Sequence, residues 1–390
     1  MQLMTSLTRR QGWLSAGEIS EGLRGKGNRA TARTVRRWFS FLREAGGFVY
    51  YPYPKANLLG LQDVLVWARE VKDPRIFGLL PFGASFNVEV DLATPGRVVS
   101  QGYWIPAEAM KAFRAFWRTA EDLGLASKVE IFPARNTHYF YSPFEDIVRP
   151  DGFAVFDHPA DNRHFADLAR RNLRGPFEVK LGERYASSPL IIPIVVEHIW
   201  EHISSRQVWE AIREKGEASI QRYAHGRLAR KFDRPGVGLH LLQQEWSALL
   251  EDFDTHFLQP RVFFNWPLLR GAQFVSIVLR AGGTERMIEA ALAVSRFSLS
   301  TALKPGVEPE ERCHLLCFVP SDQILSIVRV AREFHKGPGT PMISLQDREA
   351  TLDLFESHFC RVDWRQFDPE TLRWNFPVAQ ALKALRSLAA

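Results

Sequence analysis

The sequence predicts an α+β chain made of two repeats, each a three-helix head with a β-wing followed by a βαββαβ unit. Three observations predict it. A basic amphipathic helix stands near the amino end, behind a shorter helix and a turn. Short apolar strands and helices then alternate in the order β-α-β-β-α-β. The same order returns a little over half a chain later.

The head comes first, over residues 1–55. Residues 2–11 predict a first helix. "LSAGEISEGLRG" predicts a second, with Ser15 as N-cap, Glu18 at the capping-box position and Ile19 and Leu23 facing inward. "KGNRA" makes the turn, and "TARTVRRWFSFLREAGG" is the third helix. Val35, Trp38, Phe39 and Leu42 recur at i, i+3, i+4 and i+7, which is one apolar stripe. Arg33, Arg36, Arg37 and Ser40 repeat that spacing on another face. Gly46-Gly47 end the helix, and "FVYYPY" follows as a wing strand. Together these elements predict a winged helix-turn-helix.

Charge is concentrated in this head. Residues 1–53 carry nine Lys/Arg against three acids, a surplus equal to the +6 of the whole chain. The remaining residues are neutral in sum. A basic module joined to a neutral body points to a polyanionic partner.

The first body unit is expected at 58–150. "LQDVLVWARE" is an apolar strand, "DPRIFGLLPF" a short helix, and "ASFNVEVDL" and "GRVVSQGYWI" are two more strands. "PAEAMKAFRAFWRTAEDLG" is an amphipathic helix opening on Pro106, and "SKVEIFPA" closes the unit. This order is the ferredoxin-like split βαβ pattern. A shift of 211 residues lays "NLLGLQDVLVWAR" on "LLRGAQFVSIVLR", Gly60 on Gly271 and Arg69 on Arg280. A shift of 214 lays Pro106 on Pro320. The reading is therefore a linker at 151–186, a second helix-turn-helix at 187–266, a second ferredoxin-like unit at 268–350 and a carboxyl-terminal extension at 351–390. In the second head Arg33, Arg36, Arg37, Ser40 and Arg43 become Gln244, Ser247, Ala248, Glu251 and Asp254. Phosphate affinity needs cations, so that head is expected to bind DNA weakly or not at all, although "RYAHGRLARKFDR" (222–234) keeps basic groups just upstream.

"TARTVRRWFSFLREAGG" followed by "YYPYPKANLLGLQDVLVWARE" resembles the Lrp/AsnC family of transcription regulators. The resemblance implies a sequence-specific DNA-binding regulator and no enzymatic activity, and three cysteines without an export signal give the expectation of a cytoplasmic protein. Its third helix would enter the major groove of double-stranded DNA. Arg33, Arg36 and Arg37 would meet base edges or phosphates, Thr31, Thr34 and Ser40 would add hydrogen bonds, and Arg29 and Arg43 would flank the backbone. It also implies pairing through the ferredoxin-like units, as a homodimer or as an intramolecular pseudo-dimer, and leaves room for a small-molecule effector.

Few other motifs carry chemistry. "HIWEH" (198–202) matches a zinc-helix pattern but sits in the expected second head. "DHPADNRH" (157–164) reads as linker. Cys313 and Cys317 fall on a strand expected to be buried; with Cys360 they form no CxxC pair. No metal, cofactor or catalytic group is assigned. No apolar run is long enough to span a membrane, and no export signal stands at the amino end. Two alternatives stay open. Siroheme decarboxylases resemble the same head-plus-unit pairs, sometimes fused, and use histidine and arginine near a porphyrin carboxylate; their motifs do not align here. A non-specific architectural DNA-binding protein would use the same arginines on phosphates alone.

Overall fold

The structure is a computed structural model and describes residues 16–25, 29–44, 48–94, 96–141, 163–183, 258–264, 272–307, 312–358, 362–368 and 371–390, with Gly27 and Ala186. Helices α1 (Ala16–Arg24) and α2 (Ala32–Glu44) pack through Ile19, Leu23 and Val35, all buried. The Ser20 hydroxyl donates to the Ala30 carbonyl at 2.8 Å and fixes the turn between them. Thr31 caps α2, its Oγ1 accepting from the Thr34 amide at 3.2 Å. Strand β1 (Phe48–Pro54) follows and pairs antiparallel with β7 (Leu258–Phe264), Tyr51 opposite Arg261. The strand of the first head thus meets the matching strand of the second repeat.

Unit 1 consists of β2 (Leu61–Arg69), a 3₁₀ turn at Pro74–Leu79, β3 (Gly83–Asp91), β4 (Arg97–Pro106), α3 (Met110–Asp122) and β5 (Ser127–Ala134). Its strands lie in the order β5-β2-β4-β3. After β6 (His138–Tyr141) and α4 (Arg163–Arg174) comes unit 2: β8 (Ala272–Arg280), α5 (Thr284–Ser295), β9 (Ser300–Pro305), β10 (Arg312–Pro320), α6 (Ile324–Phe334) and β11 (Met342–Gln346). Its order, β11-β8-β10-β9, is the same arrangement. Leu61 pairs with Pro106 and Ala272 with Pro320, which are the shifts of 211 and 214 expected from the sequence. The two-repeat α+β reading therefore holds at the level of strand register.

The two four-stranded sheets are one. Strand β11 pairs with β8 of its own unit and with β3 of the other. Three residues separate β5 from β6, and β6 pairs with β9. An isolated bridge joins Ala134 to Gly306, and the Arg135 amide donates to the Pro305 carbonyl at 2.7 Å. The nine strands curl until the ends of the sheet meet, so each unit's last strand also pairs with the other unit.

Helix layers cross over in the same way. Helix α4, in the stretch expected as linker, follows unit 1 and buries Phe165, Ala166, Ala169 and Leu173 in the core of unit 2. Helix α7 (Arg348–His358), the small hairpin β12 (Phe367–Asp368) and β13 (Arg373–Trp374), and α8 (Val378–Ala389) follow unit 2 and cover unit 1. The Thr351 hydroxyl accepts from the Val88 amide at 2.9 Å, and Trp374 Nε1 donates to the Leu59 carbonyl at 2.8 Å. Unit 1, whose first helix is only a 3₁₀ turn, has an aromatic core of Phe77, Phe113, Phe116 and Trp117 that these segments complete. The core of unit 2 is mostly aliphatic, with Phe140 and Phe165 as its buried rings. Among the described residues no helix is long and apolar enough to cross a membrane.

Candidate functional site

Three places concentrate polar side chains that the fold alone does not demand. The first is the outer face of α2. Arg33, Arg36, Arg37 and Ser40 are exposed there, and Arg29 is exposed just before it. Thr31 serves the helix cap, and its Oγ1 lies 3.0 Å from Thr34 Oγ1, so these two hydroxyls hold the turn. Arg43 lies in α2, with its side chain outside the described residues. The structure therefore gathers four of the five predicted arginines near one exposed surface. The second head, including "HIWEH", lies outside the described residues apart from β7, as does most of "DHPADNRH".

The second place is the seam between β5 and β6, in the stretch "ARNTH". Arg135 lies beside Pro305 and His138 opposite Leu303, at the same end of β9. Directly opposed residues point to one face of a sheet, and Leu303 belongs to the core under α4 and α5. Arg135 reaches the same side: its Nη1 is 3.5 Å from the Leu173 carbonyl at the end of α4, and its guanidinium stands 5.8 Å from the Phe177 ring centroid. A cation at a helix carboxyl end is favourable. That arrangement leaves Arg135 Nε buried without a partner, and His138 Nε2 is in the same condition. His138 is buried, and burial pushes its imidazole down to about 4, so the ring is neutral near pH 7.

The third place is the inner face of the curled sheet. Leu65, Trp67, Val98, Phe132, Ala134 and Val278 fill part of it. Beside them a hydrogen-bonded chain crosses from unit 1 to unit 2. Ser100 donates to Glu89 Oε1 at 2.6 Å, Ser344 and Ser276 also donate to Glu89, and Ser276 Oγ lies 2.7 Å from His314 Nε2. Burial holds the Glu89 carboxyl above its usual range, against the pull of the three hydroxyls. Burial, then the Lys304 charge, holds His314 well below its usual value. Lys304 itself pairs with Asp63 at 3.0 Å, tying β9 to β2. Both shifts favour the uncharged forms of the two groups, and His314 stands edge-on to Trp67 at 5.0 Å.

Sequence reasoning missed the seam and the inner chain. The only local signal was the polar run "RNTH" between the apolar "EIFPA" and "YFY". Cys313 and Cys317 are buried on β10 as expected; burial raises both thiols, Cys317 to about 12, which leaves them inert. Among the described residues no group of three or more His, Cys, Asp or Glu could hold a metal.

No protein-family model and no curated protein matches the chain. Two solved structures do. One is the siroheme decarboxylase NirDL, with a TM-score of 0.45 and 10% identity over 100% of this chain and 98% of that one. The other is siroheme decarboxylase NirDL in co-complex with an iron-uroporphyrin III analogue, with a TM-score of 0.42 and 11% identity over 89% and 90%. The expectation that the chain is not an enzyme is corrected by these findings, since the solved structures similar to it are enzymes.

Proposed function

We propose that the chain is an enzyme acting on a carboxylate of a tetrapyrrole, in the manner of a siroheme decarboxylase, with the β5–β6 seam as the reacting site. One observation carries the reading. Arg135 and His138, three residues apart, each hold a buried nitrogen with no partner. Buried polar atoms are paired in nearly every folded protein, so an unpaired guanidinium nitrogen and an unpaired imidazole nitrogen three residues apart suit a group that arrives from outside. An Arg fork suits a carboxylate. A carboxylate drawn beside His138 would favour its protonated form, reversing the effect of burial. Loss of CO₂ leaves an electron pair on carbon, and an imidazolium at that place can supply the proton that replaces it.

The test is titration with uroporphyrin III, followed by its intense near-ultraviolet band, and turnover followed by mass loss. The wild type is expected to shift the band saturably. Arg135→Ala removes a charge-assisted hydrogen bond, for a drop of roughly ten- to a hundredfold in affinity. His138→Gln is expected to bind and to lose turnover. An unshifted band with the wild type would sink the reading.

A second reading rests on its own observation. Arg33, Arg36 and Arg37 stand exposed on one face of α2, with Arg29 exposed just before it. We propose that this face binds double-stranded DNA, with Arg33, Arg36 and Arg37 as the main groups and Arg29 and Arg43 flanking them. Fluorescence anisotropy across a salt series tests it. Replacing the three arginines with alanine should reduce the salt slope by about 0.9 for each phosphate that is no longer neutralised. An unchanged slope would exclude DNA as the partner of this face.

A further inference from the structure

The places where the two units join are built from equivalent strands that carry different side chains. At the first, β11 of unit 2 lies beside β3 of unit 1, with Gln346 opposite Glu89. At the second, the end of β5 lies beside the segment after β9, with Ala134 opposite Gly306. Strand register makes these positions equivalent. Val88 pairs with Val99 as Pro305 pairs with Cys313, so Gly306 stands where Glu89 stands. Leu65 pairs with Phe132 as Ser276 pairs with Ser344, so phenylalanine stands in place of serine.

The substitutions are complementary. At the first junction the Glu89 side chain fills the interior, and Ser344, Ser276 and Ser100 supply its hydrogen bonds. At the second the glutamate is gone and a ring lies in its space: a Cβ on Gly306 would lie 3.0 Å from the Arg312 carbonyl oxygen and 3.2 Å from the Phe132 ring, both tighter than ordinary van der Waals approach. Leu65 replaces Ser276, so no hydroxyl is left unpaired there.

We infer that the two junctions form a coded pairing surface, on which the β3 edge of unit 1 accepts the last strand of unit 2 and rejects the last strand of another unit 1. If two copies of unit 1 paired, Glu89 would meet Phe132 and Leu65, losing space and two of its three donors. If two copies of unit 2 paired, Gly306 would meet Ser344 and leave a gap, with the Ser344 hydroxyl deprived of the Glu89 acceptor while Ser276 keeps His314. Buried polar groups without partners are costly, and so are voids and clashes in a close-packed interior. Only pairing of unlike units satisfies both junctions, which is how a duplicated chain avoids joining like to like with its neighbours.

The test refolds the full chain from denaturant at rising concentration and measures mass by light scattering. Glu89→Gly with Ser276→Leu and Ser344→Phe makes both junctions glycine–phenylalanine. Gly306→Glu with Phe132→Ser and Leu65→Ser makes both glutamate–serine. Each triple variant is expected to raise the two-chain fraction several-fold over wild type at the highest concentration. A second measurement stands if either triple fails to fold. Ser344→Phe alone should lower the melting temperature, and adding Glu89→Gly should restore it. A wild-type mass distribution in a folded triple variant overturns the inference, as does absence of rescue in the double.

Discussion

At the scale of single residues, burial decides what the polar groups of the seam do. His138 has a folded value of about 4 against 6.5 for the free side chain. The fold favours the neutral ring, so its contribution to stability is fully present above pH 6.5. It is lost as pH falls from 6.5 towards 4, where the unfolded chain takes up a proton that the folded chain refuses. The shift corresponds to about 3 kcal/mol over that window. Thermal melts of wild type and His138→Leu between pH 7 and 4 check this: the wild type should fall more steeply, and parallel curves would show that His138 has no part in the acid sensitivity. Glu89 acts with the opposite sign. Its carboxyl is held above the usual range, so its contribution is present in acid and declines as pH rises past the ordinary carboxylate value. The two groups narrow the stable range from either side.

At the scale of elements, the sequence was legible where a period is local. The apolar stripe and arginine face of α2 follow from helical spacing alone, and both faces lie as that spacing implies where the side chains are described. Pro106 and Pro320 marked strand ends well enough to align the repeats. The inner chain was not legible, and the reason is physical. In "ASFNVEVDL" alternation separates Glu89 from Phe86 and Val88, but alternation says only that two faces differ, not that the polar one is open to water. Here the curl of the sheet turns Glu89 inward, onto serines more than 180 residues away. The seam was hidden for the same reason: "RNTH" has the composition of a loop, and only β9, supplied by the other repeat, makes it an interior junction. Helix α4 was legible in principle. Phe165, Ala169 and Leu173 recur at helical spacing in a stretch that polar composition alone assigned to a linker.

At the scale of the whole molecule, reciprocal exchange sets how the chain unfolds. Each unit adds to its own helices a covering layer from the segment that follows the other; β11 pairs with both units, and β5 bridges Gly306 while β6 pairs with β9. Neither core is complete without the other half of the chain. Repeats that touch only at an interface unfold as separable blocks, whereas a shared sheet with exchanged layers should open as one unit. Leu303 tests this. It is fully buried in unit 2, outside the aromatic core of unit 1. Leu303→Ala should cost about 2–5 kcal/mol through lost burial and a cavity. If the halves are one cooperative unit, hydrogen exchange in β2 and β4 of unit 1 should quicken by the same factor as in β8 and β10 of unit 2. If exchange quickens only in unit 2, the crossed layers are a surface covering on two independent folds, and the junctions can be redesigned one at a time. An equal response would mean that any change at the seam, including binding of the ligand proposed for Arg135 and His138, is felt throughout the shared sheet.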